Sequence, residues 1–195
     1  MKKTGIIVLS AILVVMVVVG GYYGIIRSRQ TANTEEQKLT EVEKINTRDL
    51  AKNYPSTPRE VVKFYNRIIT AYYAEKYTDE ELSAMAEQAR RLFDSELQDN
   101  NPQSVYLESV KADIEAYKSA SKLISQSDVC DSDDVLYMTD KEDKIAYVSS
   151  SYFIKEGSNF SRTHEMYVLR KDTEGNWKIL VYYQIEASEE ASGNE

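Results

Sequence analysis

The stretch KDTEGNWKILVYYQIE, Lys171–Glu186, holds the turn and the strand on which the architecture hangs. Asp172-Thr173-Glu174-Gly175-Asn176 is a turn, because Asp and Asn bond their own backbone and Gly175 or Asn176 takes the positive φ that closes it. Trp177 to Glu186 then reads as a strand, dense in aromatic and β-branched residues. Trp177, Ile179, Val181, Tyr183 and Ile185 lie on one face, and Lys178, Leu180, Tyr182 and Gln184 on the other. A strand with one solvated face alternates apolar with polar. Here the first face is wholly apolar, and the second still carries Leu180 and Tyr182. The expectation is that the Trp177 face packs on helices. Leu180 and Tyr182 then form an interaction face with their neighbours, with a homodimer through the sheet as its simplest use.

Reading backwards, Phe160–Lys171 is a strand, Glu156-Gly157-Ser158-Asn159 a hairpin loop and Lys144–Lys155 another strand. Val129–Thr139 is the first strand, with an acidic, irregular start. Ahead of this four-stranded antiparallel meander the period is helical. Thr57-Pro58-Arg59-Glu60 is a capping box with Pro at the first helical position, followed by Val61, Tyr65, Ile68 and Tyr72 on one stripe. Thr78-Asp79-Glu80-Glu81 is a second box, ahead of Leu82, Met85, Ala86, Ala89, Leu92 and Phe93. Asn101-Pro102 opens a third helix with Tyr106, Val110, Ile114 and Tyr117 on one face and Leu107 and Ile124 at its margins. Three helices followed by a meander make an α+β domain over residues 57–186.

Gly175, Trp177, Lys178 and Ile179 stand where a last hairpin of Gly, a gap, Trp, a basic and an aliphatic residue stands in another group of proteins. With the element order, this resembles the nuclear transport factor 2-like, or cystatin-like cone, superfamily, and most closely its membrane-anchored Gram-positive bacterial members with no assigned activity. The resemblance covers about residues 57–186 and implies a cone-like fold whose sheet often pairs with a second copy. Enzymes of that superfamily use acid–base residues in the cavity, often an Asp with a His or Tyr. No such motif matches here position by position, so no catalytic residue is carried over.

Residues 5–26 form 22 positions without a charge. A helix of that length spans about 33 Å, enough for a hydrocarbon core of about 30 Å. Tyr22 and Tyr23 fall where an aromatic belt sits. The run is longer than a signal-peptide core and lacks a clean A-x-A site, so an uncleaved transmembrane signal-anchor is expected over a cleaved signal. Residues 1–4 are then a cytoplasmic head and the rest lies outside the cell. Residues 27–56 read as a polar linker with a helical stretch near Thr34 to Glu43, and 187–195 as a disordered acidic tail. Beyond Lys2, Lys3, Arg27 and Arg29, 20 basic side chains face 32 acidic ones, a net of −12. Such a surface repels nucleic acid.

Chemistry is thinly signalled. His164, the only histidine, is the one candidate general base. Asp128, Asp131, Asp133 and Asp134 fail the EF-hand pattern, because Val135 takes a ligand place and no Gly follows. Cys130 and His164 are too few for a zinc site. Ser149-Ser150-Ser151 lacks a nucleophile elbow. No catalytic residue, metal or cofactor is therefore expected. Tyrosine stands out, with 15 against 4 Phe. Its ring and hydroxyl suit wet pockets and interfaces. The expectation is a non-catalytic binding or interaction domain of unknown ligand, with an envelope protein as another partner. An enzyme using His164, or a structural envelope component, is the alternative.

Overall fold

The computed structural model describes residues 39–186, in which helices lie against one face of an antiparallel sheet. Among the described residues no helix is long and apolar enough to cross a membrane. The head at 1–4, the anchor at 5–26, the start of the linker and the tail at 187–195 lie outside the described residues.

The chain enters through α1 (Glu41–Asn46), started by a capping box in which the Thr40 hydroxyl accepts from the Glu43 amide at 3.1 Å and the Glu43 carboxylate accepts from the Thr40 amide at 2.7 Å. Residues 40–56, expected within a polar linker, are packed against the domain. Val42, Ile45 and Leu50 are buried in the main core. Their spacing is the inner stripe of a short helix and its exit turn, too brief to register as a repeat. Arg67 pairs with Glu41 at 2.7 Å, and the Asn46 amide donates to the Glu81 carbonyl at 3.2 Å.

The three expected helix starts hold, the third at Asn101-Pro102 without a side-chain cap. In α2 (Pro58–Ala74) the Thr57 hydroxyl accepts from the Glu60 amide, and Val61, Tyr65, Ile68 and Tyr72 are buried. In α3 (Asp79–Arg90) Thr78 and Glu81 form a full reciprocal box. A short α4 (Ser95–Asn100), capped by Asp94, precedes α5 (Gln103–Ser119). Helix α5 stops earlier than the sequence suggests: Ser121 adopts φ 53° and turns the chain into a strand, so Ile124 belongs to the sheet and not to a helix margin.

The expected single strand over Val129–Thr139 is instead two pieces. Strand β1 (Lys122–Val129) ends where that strand was to begin, a 3-10 turn covers Ser132–Asp134, and β2 is Leu136–Asp140. Both pair with the long β3 (Asp143–Glu156), β1 with its second half and β2 with its first. Strands β4 (Asn159–Lys171) and β5 (Trp177–Ile185) complete an antiparallel sheet of five strands. The hairpin and turn fall as expected, with Gly157 at φ 59° and Gly175 at φ 87°.

One irregularity decides which residues face the helices. Val168 pairs with Val181 but Leu169 pairs with Ile179, so Leu180 is an extra residue, a β-bulge. A bulge shifts the two-residue period by one and exchanges the faces. Before it, Trp177 and Ile179 point inward beside Leu169 and are buried. Beyond it, Tyr182 points inward opposite Tyr167, while Val181 and Tyr183 turn outward, 43% and 47% exposed. The expected division of β5 into a Trp177–Ile185 face against the helices and a Leu180–Tyr182 face away from them therefore holds only as far as Ile179. Beside the bulge, the Ile179 amide donates to the Leu92 carbonyl and the Asp94 amide to the Ile179 carbonyl, both at 2.8 Å. These bonds cover the edge that the bulge opens.

Candidate functional site

The inner face of the sheet beyond the bulge is built from polar and aromatic side chains. Register places Ser150 opposite Glu165 and Glu165 opposite Gln184, with Tyr152, Tyr167 and Tyr182 one pleat away. Helix α2 supplies Tyr65 and Asn66 from above. Asn66 follows Val62 by four residues and precedes Ile69 by three, a buried position that the helical period made apolar. A polar residue in an apolar stripe is the sequence signal for this site.

Buried amides need partners, and Asn66 has them. Its Nδ2 donates to Ser150 Oγ at 2.6 Å, and Ser150 in turn donates to the Asp128 carbonyl at 2.6 Å. Tyr152 donates its hydroxyl proton to Asn66 Oδ1 at 2.7 Å. The Tyr152 and Tyr167 hydroxyls are 2.6 Å apart; since the Tyr152 proton is engaged, Tyr167 donates. The result is a directed chain: Tyr167, Tyr152, Asn66, Ser150, Asp128 carbonyl.

Rings continue the site toward its open side. Tyr65 meets Tyr167 edge-on at 5.8 Å, and Tyr167 stacks on Tyr182 at 5.7 Å. Tyr182 also approaches Tyr65 at 5.9 Å and is 40% exposed, so it forms the outer wall. Deeper in, Phe93 contacts Tyr65 and Tyr106. The hydroxyls of Tyr72 and Tyr106 are buried and close enough to affect one another's ionisation, yet neither has a well-formed hydrogen bond among the described residues. Burial drives the phenols of Tyr65, Tyr72, Tyr152 and Tyr167 far above their ordinary range and lifts Tyr106 to about 12. All stay protonated near neutrality, suited to hydrogen bonding and not to proton abstraction.

Glu165 is the carboxyl at the mouth. It is half-buried, and desolvation raises its pKa. It makes no ion pair or hydrogen bond among the described residues, and its field reaches Tyr117, Tyr152 and Tyr167. Gln184 beside it is exposed.

The residues singled out from sequence lie elsewhere. His164 alternates with Glu165 and so faces outward, opposite Ser151 and Ile185, away from the tyrosines. Cys130 is a free, half-buried thiol, pushed up by burial, whose carbonyl accepts from Arg59. Asp133 and Asp134 lie in the 3-10 turn, and Asp131, just ahead of it, lies 3.6 Å from Arg59. Of the expected interaction pair, Leu180 is the bulged residue and Tyr182 belongs to the tyrosine site. The outer sheet face carries instead Leu136, Met138, Val181 and Tyr183, all exposed, around buried Ile145, Val168 and Ile185.

Residues 1–182 match the family model described as a domain of unknown function, DUF6715, and the chain belongs to that family. A comparison with curated proteins finds no match.

Proposed function

We propose that this chain is a non-catalytic binding module, held at the outer side of a cell membrane by residues 5–26, that takes a small ligand on its tyrosine-lined inner face. The observation that carries the reading is the open wall at Tyr182 in front of two buried hydroxyls, on Tyr72 and Tyr106, without well-formed partners. Natural interiors leave few such groups unpaired. The helices laid over one face of a meander support the likeness to the cone superfamily. The enzyme alternative loses its candidate base from this site, since His164 is on the far face.

Two experiments test this. Protease applied to intact cells shaves residues 40–186 away if the domain is external; survival beside a shaved external control overturns the orientation. A thermal-shift screen of small solutes on the full chain is expected to find ligands whose effect Tyr182→Ala removes. Turnover of any of them, abolished by His164→Ala, would mark an enzyme.

A second reading rests on the outer face. Its exposed Leu136, Met138, Val181 and Tyr183 suit pairing with a second copy through the sheet. Binding on the inner face and pairing on the outer one are compatible.

A further inference from the structure

The geometry points to an organic ammonium group as what the mouth of the tyrosine site takes, seated between the Glu165 carboxylate and the rings of Tyr117 and Tyr182. The inference rests on the proposed binding role of this face and names its ligand class. Glu165 is fixed by register between Ser150 and Gln184, one pleat from Tyr152, Tyr167 and Tyr182. Ser150 is already engaged by Asn66 and by the Asp128 carbonyl, so it is not free to relieve the carboxylate. No Lys or Arg among the described residues pairs with Glu165. By contrast, Asp94 and Glu41 are both bonded to arginines.

A half-buried carboxyl without a basic partner among the described residues, on one sheet face with the partly exposed ring of Tyr182, suits recognition of a quaternary or alkyl ammonium. The ring faces attract the cation within about 6 Å of their centres, the more so when it is desolvated. The carboxylate supplies the opposite charge. Tyr117, on α5, lies tilted against Tyr73 at 4.5 Å and packs beside Tyr152. The Tyr72 and Tyr106 hydroxyls behind the mouth give polar partners for the remainder of a ligand that carries oxygen. The acidic surface of the chain, −8 overall, raises the local concentration of any cation. A metal ion fits poorly, because the described residues hold no group of three or more His, Cys, Asp or Glu able to ligate one.

The test uses the full chain in detergent micelles, titrated with choline, with tetramethylammonium and with 3,3-dimethylbutanol, the uncharged isostere of choline, while tyrosine and tryptophan fluorescence is followed. The cations are expected to bind about tenfold or more tightly than the alcohol, which corresponds to about 1.4 kcal/mol. Glu165→Gln should erase that preference and Glu165→Asp should restore part of it, each with an unchanged circular dichroism spectrum. If the alcohol binds as well as choline, the ligand class is wrong while the pocket stands. If nothing binds and Tyr182→Ala is silent across the solute screen, the binding role fails with it. Nanodiscs of phosphatidylcholine against phosphatidylglycerol separate the two sources of the group: competition with free choline only in the former identifies a lipid headgroup, and no competition in either identifies a soluble amine.

Discussion

Arg170 grips Asp94 with two prongs of its guanidinium, Nε to Oδ2 at 3.0 Å and Nη2 to Oδ1 at 2.6 Å, and so ties the middle of the sheet to the loop between α3 and α4. Asp94 is buried and also caps α4 by accepting from the Glu96 amide. One carboxylate thus joins a strand, a helix start and, through its own amide, the covered edge of β5.

Removing that carboxylate leaves a helix end without its cap and the buried-side grip on Arg170 broken, with Glu96 at 3.1 Å and Asp143 at 3.7 Å as the remaining partners of the guanidinium. Asp94→Ala should lose about 2–4 kcal/mol in urea unfolding, and Asp94→Asn, which keeps the cap, should lose less. Burial by itself would raise the Asp94 pKa, but the hydrogen bonds from Arg170 and from the Glu96 amide, with the Arg170 charge, bring it below the usual 3.8. A depressed folded pKa adds stability above the unfolded value and loses it as pH falls through the folded one. The wild-type urea midpoint should therefore drop below about pH 4 by more than that of Asp94→Asn.

The hydroxyl chain gives a second expectation. Tyr152→Phe breaks the link between Tyr167 and Asn66 and should cost about 1–2 kcal/mol. Asn66→Ala strands both Tyr152 and Ser150 and should cost about 2–4 kcal/mol, with a cavity adding to the lost bonds. The double variant should cost less than the sum, since both act on one network. Additive losses in chemical denaturation would show that the chain is not coupled.

Much of this frame was legible, and the failures share a cause. Thr57, Thr78, Gly157 and Gly175 are legible because a cap or a positive φ is a local requirement with a local signature. The bulge at Leu180 has no such mark. Trp177 to Ile185 is an unbroken run of strand formers, and the extra residue exists because Ile179 bonds sideways to Leu92 and Asp94, far away in sequence. The start of strand β1 is hidden because Ile124 fits the α5 period while the turn at Ser121 uses a positive φ on a residue that does not announce it. Glu165 looked like the polar half of an alternating strand, and only the placement of Tyr152 and Tyr182 around it makes it a site.

The exchange of faces is itself testable. Val181→Glu with Tyr183→Glu should leave the circular dichroism spectrum and the melting temperature nearly unchanged, because both project outward. In sedimentation of a soluble fragment beginning ahead of Thr40, it should also dissolve any dimer formed through the sheet. Tyr182→Glu places a charge among neutral phenols and beside Glu165, and should cost roughly 1–3 kcal/mol. The reverse pattern would put Tyr182 outside.

Glu165 should weaken the fold at neutral pH. Burial raises its pKa above the usual 4.5, so the unfolded chain accommodates the charge better. The sign is opposite to that of Asp94: stability rises as pH falls through the folded pKa, and the penalty is complete above it. Tyr117, Tyr152 and Tyr167, the titratable groups that its field reaches, are raised by burial and stay neutral throughout this range. Glu165→Gln should therefore melt higher than wild type at pH 7, with the difference vanishing near pH 4. A variant that melts lower at pH 7 would mean the carboxylate has a stabilising partner.

The packing of α1 has a mechanical side. Besides the buried Val42 and Ile45, it is held by a few discrete ties: Glu41 to Arg67, Asn46 to Glu81, and the Gln88 amide to the Asn46 and Arg48 carbonyls. Further along, the Tyr54 hydroxyl donates to the Trp177 carbonyl at 2.9 Å, which fastens the entering segment to the first residue of the last strand. Tension applied at Thr40 meets these ties one after another, so α1 yields by peeling, bond by bond, as a zipper does. Only when Tyr54 is reached does the load pass into β5, which is held along its length by the ladder to β4 and resists in shear. The entering segment is in this sense a weak fuse in series with a strong sheet, and a pull from its N-terminal side unwinds it before it opens the tyrosine site.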